Sequence, residues 1–420
     1  MNRHTDTPAG TELLDLPMPE PRTCPFGPAP VYDRLRAEAP VTRVACPTGL
    51  TAWLVSRYAD VRDVLGDAER FSSRPGQVVH LMAHADPERP IGEGEFTRMD
   101  GPEYQRFRRH MGPEISSPRR LAKLRPLVRA VVDERIGALA AAGPPADLYQ
   151  DFAIPVTTAS IGGLVGVPYA DRDLFHTAAS GVFSDVTDQV QLAAAVRPLQ
   201  GYLFELVRRR RVEPEDDALS RMVARAPSAE PPFSDVELVA MSAVMLVAGF
   251  DSTATALAHG VLALLNDPGQ WARLRDDPSL VPGTVEEMVR LFGGGAGIVR
   301  EATVDTEIGG RPVAKGDYVI LAIQSANHDP EAFPDPGRLD VARDTEGHLG
   351  FGHGTHQCFG QQTARLELTV ALEALVRRVP SLRLAAPLAD VPFKTGTSVV
   401  GPERVPVTWD EILPAEGEGP

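Results

Sequence analysis

At 420 residues, against roughly 150 per domain, the length prior alone allows two or three domains, yet no serine-rich or low-complexity linker divides the chain. Its hydrophobic share of 43% is enough for a large core, and a net charge of -15, from 57 acidic against 42 basic residues, argues against a general binder of nucleic acid or anionic membrane. Three cysteines, Cys24, Cys46 and Cys358, do not make a disulfide framework, and the N-terminus has no apolar signal core, so a soluble, cytoplasmic protein is expected.

Residues 1 to 30, rich in proline and polar side chains, read as an irregular surface arm. Pro30 to Ala39 reads as a short helix, Val41 to Val44 and Ala52 to Val55 as a hairpin, and Tyr58 to Leu65 as a second helix. Pro75 to Met99 has no period and is long enough to be a functional loop. Pro102 and Glu103 suit the first turn of the next helix. Arg106, Arg109, Arg119, Arg120 and Lys123 then form a basic cluster. Helical patterns run over Leu121 to Ala142, Leu148 to Leu164, Tyr169 to Ser180 and Val190 to Arg211. The turn after Arg208 to Arg211 is acidic, and the whole corner reads as solvated, because basic residues at a helix C-terminus suit its dipole.

The longest helix is expected from Ser234 to Asn266, with a Ser234-x-x-Glu237 capping box and Asp267-Pro268 as its stop. Its apolar stretch, Leu238 to Phe250, falls short of the roughly 20 residues that cross a bilayer, so it reads as a core helix. Ala248-Gly-Phe-Asp-Ser-Thr253 breaks the pattern: a mid-helix glycine costs about 1 kcal/mol against alanine. A buried aspartate costs more unless it is partnered. Further on, Glu287 and Arg290 stand three apart on one helical face and suit an ion pair, with Arg338 to Arg343 supplying third partners. Gly293 to Arg300 carries too many glycines for a stable strand. Val304 to Ile308 and Tyr318 to Ala322 read as a small sheet.

His348 to Gly360 delivers Cys358 to the start of a helix, Gln362 to Arg378, where free backbone amides and the dipole favour a thiolate. Gly352, Gly354 and Gly360 remove side chains where the backbone must turn with positive φ or approach something flat. His348, His353, His356 and Cys358 are also four potential zinc ligands, but their spacing matches no standard zinc pattern. Ser381 to Leu384 and Val405 to Trp409 read as closing strands, and residues 411 to 420 as an acidic, disordered tail.

Phe351-Gly352-x-Gly354-x-His356-x-Cys358-x-Gly360 resembles the haem-binding signature of the cytochrome P450 family at every fixed position. Ala248 to Thr253 resembles its oxygen-activation motif, with Ser252 where threonine is usual, and Glu287-x-x-Arg290 is similar to its Glu-x-x-Arg lock. The resemblance implies a mainly α fold with a small β region, the triangular-prism cytochrome P450 fold as a single domain over residues 31 to 410. It further implies a soluble, bacterial-type haem-thiolate monooxygenase that oxidises a hydrophobic small molecule, such as a natural-product intermediate, using two external electrons.

By that resemblance Cys358 is the axial ligand of iron in haem b, and its electron donation assists O–O cleavage. Arg108, Arg300 and His356 serve the haem propionates, Tyr104 stands where histidine is common, and Ala248, Phe351 and Gly360 line the cofactor. Asp251, Ser252 and Thr253 are the catalytic set. Val79, Met82, Ile91, Val244, Val247, Ala296, Gly297 and Val399 are the substrate-pocket candidates, and residues 180 to 191 belong to a lid. Electrons would come from NAD(P)H through ferredoxin reductase and ferredoxin, the latter docking near the basic cluster. A monomer without nucleic-acid or membrane partners is expected. Three other readings remain open: a non-catalytic haem-thiolate sensor or carrier, a peroxide-driven peroxygenase of the same fold, and a zinc protein. The acid and alcohols at 251 to 253 are dispensable to each of these.

Overall fold

The computed structural model describes residues 14–16, 25–46, 49–75, 90–184, 189–295, 297–395 and 397–415. In chain order they form β1 (Leu14–Asp15), α1 (Val31–Glu38), the hairpin β2 (Val41–Ala45) and β3 (Thr51–Val55), α2 (Tyr58–Gly66) and β4 (Phe71–Ser72). A helical stretch follows: α3 (Gly101–Ile115), α4 (Pro118–Ala142), the short β5 (Ala146–Asp147), α5 (Ile154–Val165), α6 (Arg172–Phe183), α7 (Gln189–Val212), α8 (Ala218–Arg225) and α9 (Asp235–Asn266). The last part holds α10 (Pro268–Asp276), α11 (Val281–Phe292), β6 (Ile298–Ala302), β7 (Thr306–Ile308), β8 (Arg311–Val313), β9 (Tyr318–Leu321), α12 (Ile323–Asn327), α13 (Gln361–Arg378), β10 (Arg383–Leu384) and β11 (Pro406–Thr408).

The 32-residue α9 is the strut around which the helices pack, touching α5, α6, α7, α11 and α13. Both halves of its capping box form, Ser234 Oγ accepting from the Glu237 amide and the Glu237 carboxylate from the Ser234 amide. Although long and apolar enough to cross a membrane, the helix lies mostly buried inside the protein. The helix stays unbroken through Gly249, although a mid-helix glycine is costly there. A Cβ there would lie 3.0 Å from Ile161 Cδ1, so the glycine lets α9 approach α5.

The hairpin is not a separate unit. It joins a six-stranded sheet of order β1-β2-β3-β9-β6-β4, with β3 parallel to β9. The expectation that Gly293 to Arg300 excludes a strand is corrected: Gly294, Gly295 and Gly297 turn the chain at positive φ, leaving Ile298 to Ala302 free to pair with β9.

Three peripheral readings also change. Leu14 and Asp15 of the N-terminal arm pair in parallel with Val44 and Ala45. Within the C-terminal tail, the Leu413 amide bonds the Arg378 carbonyl at 2.7 Å, so residues 411 to 415 are docked; 416 to 420 lie outside the described residues. Nor is the corner after α7 all solvated. Arg210 is buried, its Nε 2.7 Å from Asp217 Oδ2 and its other nitrogens on Glu215 and the Gly166 carbonyl, which ties the ends of α7 and α5 to the start of α8.

Candidate active site around Cys358

The cysteine loop is a chain of tight turns. The Cys358 amide donates to the Phe351 carbonyl at 2.8 Å, and Gln357 to Gly354 at 3.0 Å. Gly352 and Gly354 both have φ +72, and a Cβ at 354 would also meet the Leu65 carbonyl at 2.5 Å. Gly360 differs from the expectation for backbone strain: its φ is -80, and no atom of the described residues lies within 4 Å of a Cβ built there. It borders open space.

Cys358 is exposed by surface area yet closely enclosed by protein atoms, the situation of a thiol facing a cleft. Burial raises the thiol above its ordinary pKa, outweighing the Gly360 amide and the charges of Arg365 and Arg108, which favour the thiolate. A metal ion bound at the sulfur would add to the pull of these amides and cations toward the thiolate.

Beside the loop lies a group of cations and rings. Arg108 donates from one nitrogen to the Thr355 and Gln357 carbonyls, at 3.0 and 2.9 Å, and to the Tyr104 hydroxyl at 3.2 Å. Tyr104 stacks on His356 with centroids 3.9 Å apart, and His356 Nε2 is 3.1 Å from Asp100 Oδ1. Asp100 also accepts from Ser72 and Ser73; burial would raise it, but these bonds and His356 bring it below the usual carboxylate range.

Arg300 is the exception in this group. It is 5% exposed, and it donates a hydrogen bond to its neighbour's carbonyl, Val299 O. Burial drags its pKa down to about 10, against the pull of Asp100 and Tyr104. A buried guanidinium without a hydrogen-bonded carboxylate is costly unless an anion completes the site. An iron porphyrin, with a metal for the thiol and carboxylates for the cations, fits this donor set.

On α9, Val244, Ala248 and Ser252 recur every fourth residue along one face, and Ala248 and Ser252 are exposed in a helix otherwise buried around them. Ser252 Oγ donates to the Ala248 carbonyl at 2.8 Å, while Thr253 and Val247 are buried beside it. Asp251 is partnered, as a buried aspartate must be: Oδ1 accepts from Tyr149 at 2.7 Å and from Lys394 Nζ at 2.8 Å. Lys394 also reaches Thr255 Oγ1 at 2.9 Å. Ile91 and Gly297 are partly buried and Val399 is buried; Val79, Met82 and Ala296 lie outside the described residues.

Glu287 and Arg290 form a fully buried ion pair, Nε to Oε2 at 2.6 Å and NH2 to Oε1 at 2.9 Å. Arg343 supplies the third partner at 2.9 Å. Arg290 also donates to the Asn327 and Pro336 carbonyls, and Asn327 Oδ1 accepts from the Leu349 amide at 2.7 Å, which carries the lock into the cysteine loop. His348 and His356 are both engaged by carboxylates, and among the described residues no His, Cys, Asp and Glu group is arranged to hold a metal ion.

The basic cluster needs correction. Arg106 grips Glu237 with two nitrogens, at 2.6 and 3.0 Å, and lies over Phe233; Arg120 and Lys123 pair with Asp216. Arg109 and Arg119 stay exposed. Sequence reading missed Asp100, Tyr149 and Lys394. Lys394 is 143 residues from Asp251, so no local pattern links them.

The family described as Cytochrome P450 matches residues 199–380. The chain is 38% identical over 403 residues to Cytochrome P450-SU2 of Streptomyces griseolus, covering 96% of this chain and 98% of that one. It is 39% identical to Mycinamicin IV hydroxylase/epoxidase of Micromonospora griseorubida, covering 93% and 99%. The crystal structure of CYP105P1 in complex with filipin I superposes with a TM-score of 0.88 at 37% identity, covering 95% of this chain and 100% of that one.

Proposed function

Since this chain belongs to the cytochrome P450 family and is an oxidoreductase of that family, we propose that it oxidises a hydrophobic natural-product intermediate, with Cys358 as the axial thiolate of haem b. The observation that carries this reading is the enclosed Cys358 thiol together with the buried Arg300 cation, which has no hydrogen-bonded carboxylate among the described residues. Haem, when bound, supplies activation of dioxygen with two external electrons and transfer of one oxygen atom to substrate.

The rest is the work of side chains. Arg300, Arg108 and His356 hold the propionates, with Tyr104 stacking on His356 rather than adding charge. Ala248 and Phe351 line the cofactor, and the open space beside Gly360 admits it. Asp251, anchored at Oδ1 by Lys394 and Tyr149, keeps Oδ2 for exchanging a proton with Ser252 through water. Ser252 leaves the Ala248 carbonyl by a χ1 rotation to present its hydroxyl; lacking threonine's methyl, it rotates more freely. Thr253 is buried and steadies the helix from behind. Val244, Val247, Ile91, Gly297 and Val399 offer an apolar or small wall to substrate. Relatives named for pentalenic acid synthesis and for mycinamicin hydroxylation support a natural-product substrate.

Electrons come from NAD(P)H through a ferredoxin reductase and an acidic ferredoxin, docking near Arg109 and Arg119 rather than Arg106. The protein acts as a cytoplasmic monomer. The deciding experiment is the carbon monoxide spectrum of the reduced protein, with Cys358→Ser alongside. A thiolate-type spectrum in the wild type that is lost in the variant is expected; an unchanged spectrum in the variant removes Cys358 from the iron. Spectral titration with a panel of polyketides, terpenoids and peptides then identifies the substrate class.

A further inference from the structure

Three side chains beside the cysteine loop have no part in the reading above. Glu286 on α11 takes Arg365 of α13 with both oxygens, Nε to Oε1 at 2.6 Å and NH2 to Oε2 at 3.0 Å, and His348 Nε2 lies 3.0 Å from Oε2. Arg365 is fixed a third time by Gln361 Oε1 at 2.8 Å. So held, its guanidinium carbon lies 4.5 Å from the centroid of the Phe351 ring. Phe351 in turn accepts the Cys358 amide through its carbonyl. The cation thus lies over the side chain of the residue whose carbonyl holds the Cys358 amide, and at that position its charge favours negative charge on the sulfur.

The two-oxygen grip needs a guanidinium, since an ammonium cannot fill the fork. Its partner is well suited to stay ionised: burial would raise Glu286, but His348 and Arg365 outweigh that and hold it down to about 2. Glu286 does two things at once. It fixes where Arg365 sits, and its own negative charge cancels part of the field that Arg365 exerts on the sulfur.

We propose that Glu286 is a positioning residue that holds Arg365 over Phe351 and, by partly neutralising it, sets how much negative charge Cys358 lends to the bound iron. The inference rests on the assignment of Cys358 as the axial ligand. Its consequence is a matter of sign. A cation near the sulfur stabilises the reduced, electron-richer iron, whereas an anion beside that cation opposes it, so removing one or the other moves the reduction potential in opposite senses.

The test is a reductive titration of the haem-loaded, full-length protein with dithionite and mediator dyes. Wild type, Arg365→Gln, Arg365→Lys and Glu286→Gln are compared, and the carbon monoxide spectrum is recorded on each sample. Arg365→Gln is expected to lower the ferric/ferrous potential, Glu286→Gln to raise it, and Arg365→Lys to fall between wild type and Arg365→Gln. Shifts in the same sense, or no shift with the thiolate spectrum intact, overturn the inference alone. Loss of the thiolate spectrum in both glutamine variants makes the pair a structural brace and also overturns it. A wild type without that spectrum sinks the ligand assignment, and this inference with it.

Discussion

Lys394 Nζ sits 2.8 Å from Asp251 Oδ1, tying the middle of the central helix to a loop 143 residues further along the chain. Both side chains are about 15% exposed, so the pair is held largely out of water. Replacing Lys394 by methionine leaves Asp251, among the described residues, with the Tyr149 hydroxyl as partner and is expected to cost about 2 kcal/mol of stability. Denaturant unfolding measures that loss. Asp251→Asn in the Lys394→Met background should recover part of it, because the unpaired charge is gone.

Ser252 donates to one carbonyl within its own helix, so Ser252→Ala should leave stability within about 0.5 kcal/mol of wild type. If the hydroxyl helps deliver protons, the variant will bind substrate with an unchanged spectral shift but release more peroxide per NAD(P)H consumed. Equal product per electron in the two proteins would remove Ser252 from the proton path.

The Glu287–Arg290 pair is fully buried, and each partner is needed to compensate the other. Glu287→Gln is expected to cost about 3–5 kcal/mol and to lower haem retention, since Arg290 also organises Asn327 and hence the Leu349 amide in the cysteine loop. The ratio of haem to protein after purification, with a thermal melt, reads both effects.

Two glycines of one motif should behave differently. Gly354→Ala puts a side chain at φ +72 and against the Leu65 carbonyl, so a loss of at least about 2 kcal/mol is expected. Gly360→Ala meets no protein atom and should leave the melting of the haem-free protein unchanged. A fall in haem affinity confined to Gly360→Ala would show that the open space there belongs to the cofactor.

His110 is buried against Phe233 and bonded to the Met222 carbonyl. Burial, with Arg225 adding to it, lowers its pKa from 6.5 to about 4. A folded-state pKa below the unfolded one means that its stabilising share is complete above pH 6.5 and is lost as pH falls toward 4, roughly 3 kcal/mol in all. His110→Gln should flatten the acid limb of the stability curve in that window by one proton's worth of slope, as followed by urea unfolding across the pH range.

Much of this was legible from the letters because the signals were local. The Ser234-x-x-Glu237 box and the Asp267-Pro268 stop set the long helix to within a residue, since caps satisfy backbone groups a turn away. Glu287 and Arg290 could be paired because one helical turn brings them together. The glycines at 352 and 354 announced their positive φ, which needs no knowledge of neighbours.

What the sequence determined alone was therefore the family resemblance, the run of helices and the identity of Cys358, each fixed by residues within a few positions of one another. Tertiary structure decided what those residues feel. It enclosed Cys358 enough to raise its pKa despite the helix start, left Arg300 buried with no hydrogen-bonded carboxylate among the described residues, and spent Arg106 on Glu237. It also brought Lys394 to Asp251 and Glu286 to Arg365. Those relations depend on desolvation and on charges joined across long stretches of chain, and neither quantity is written in local spacing.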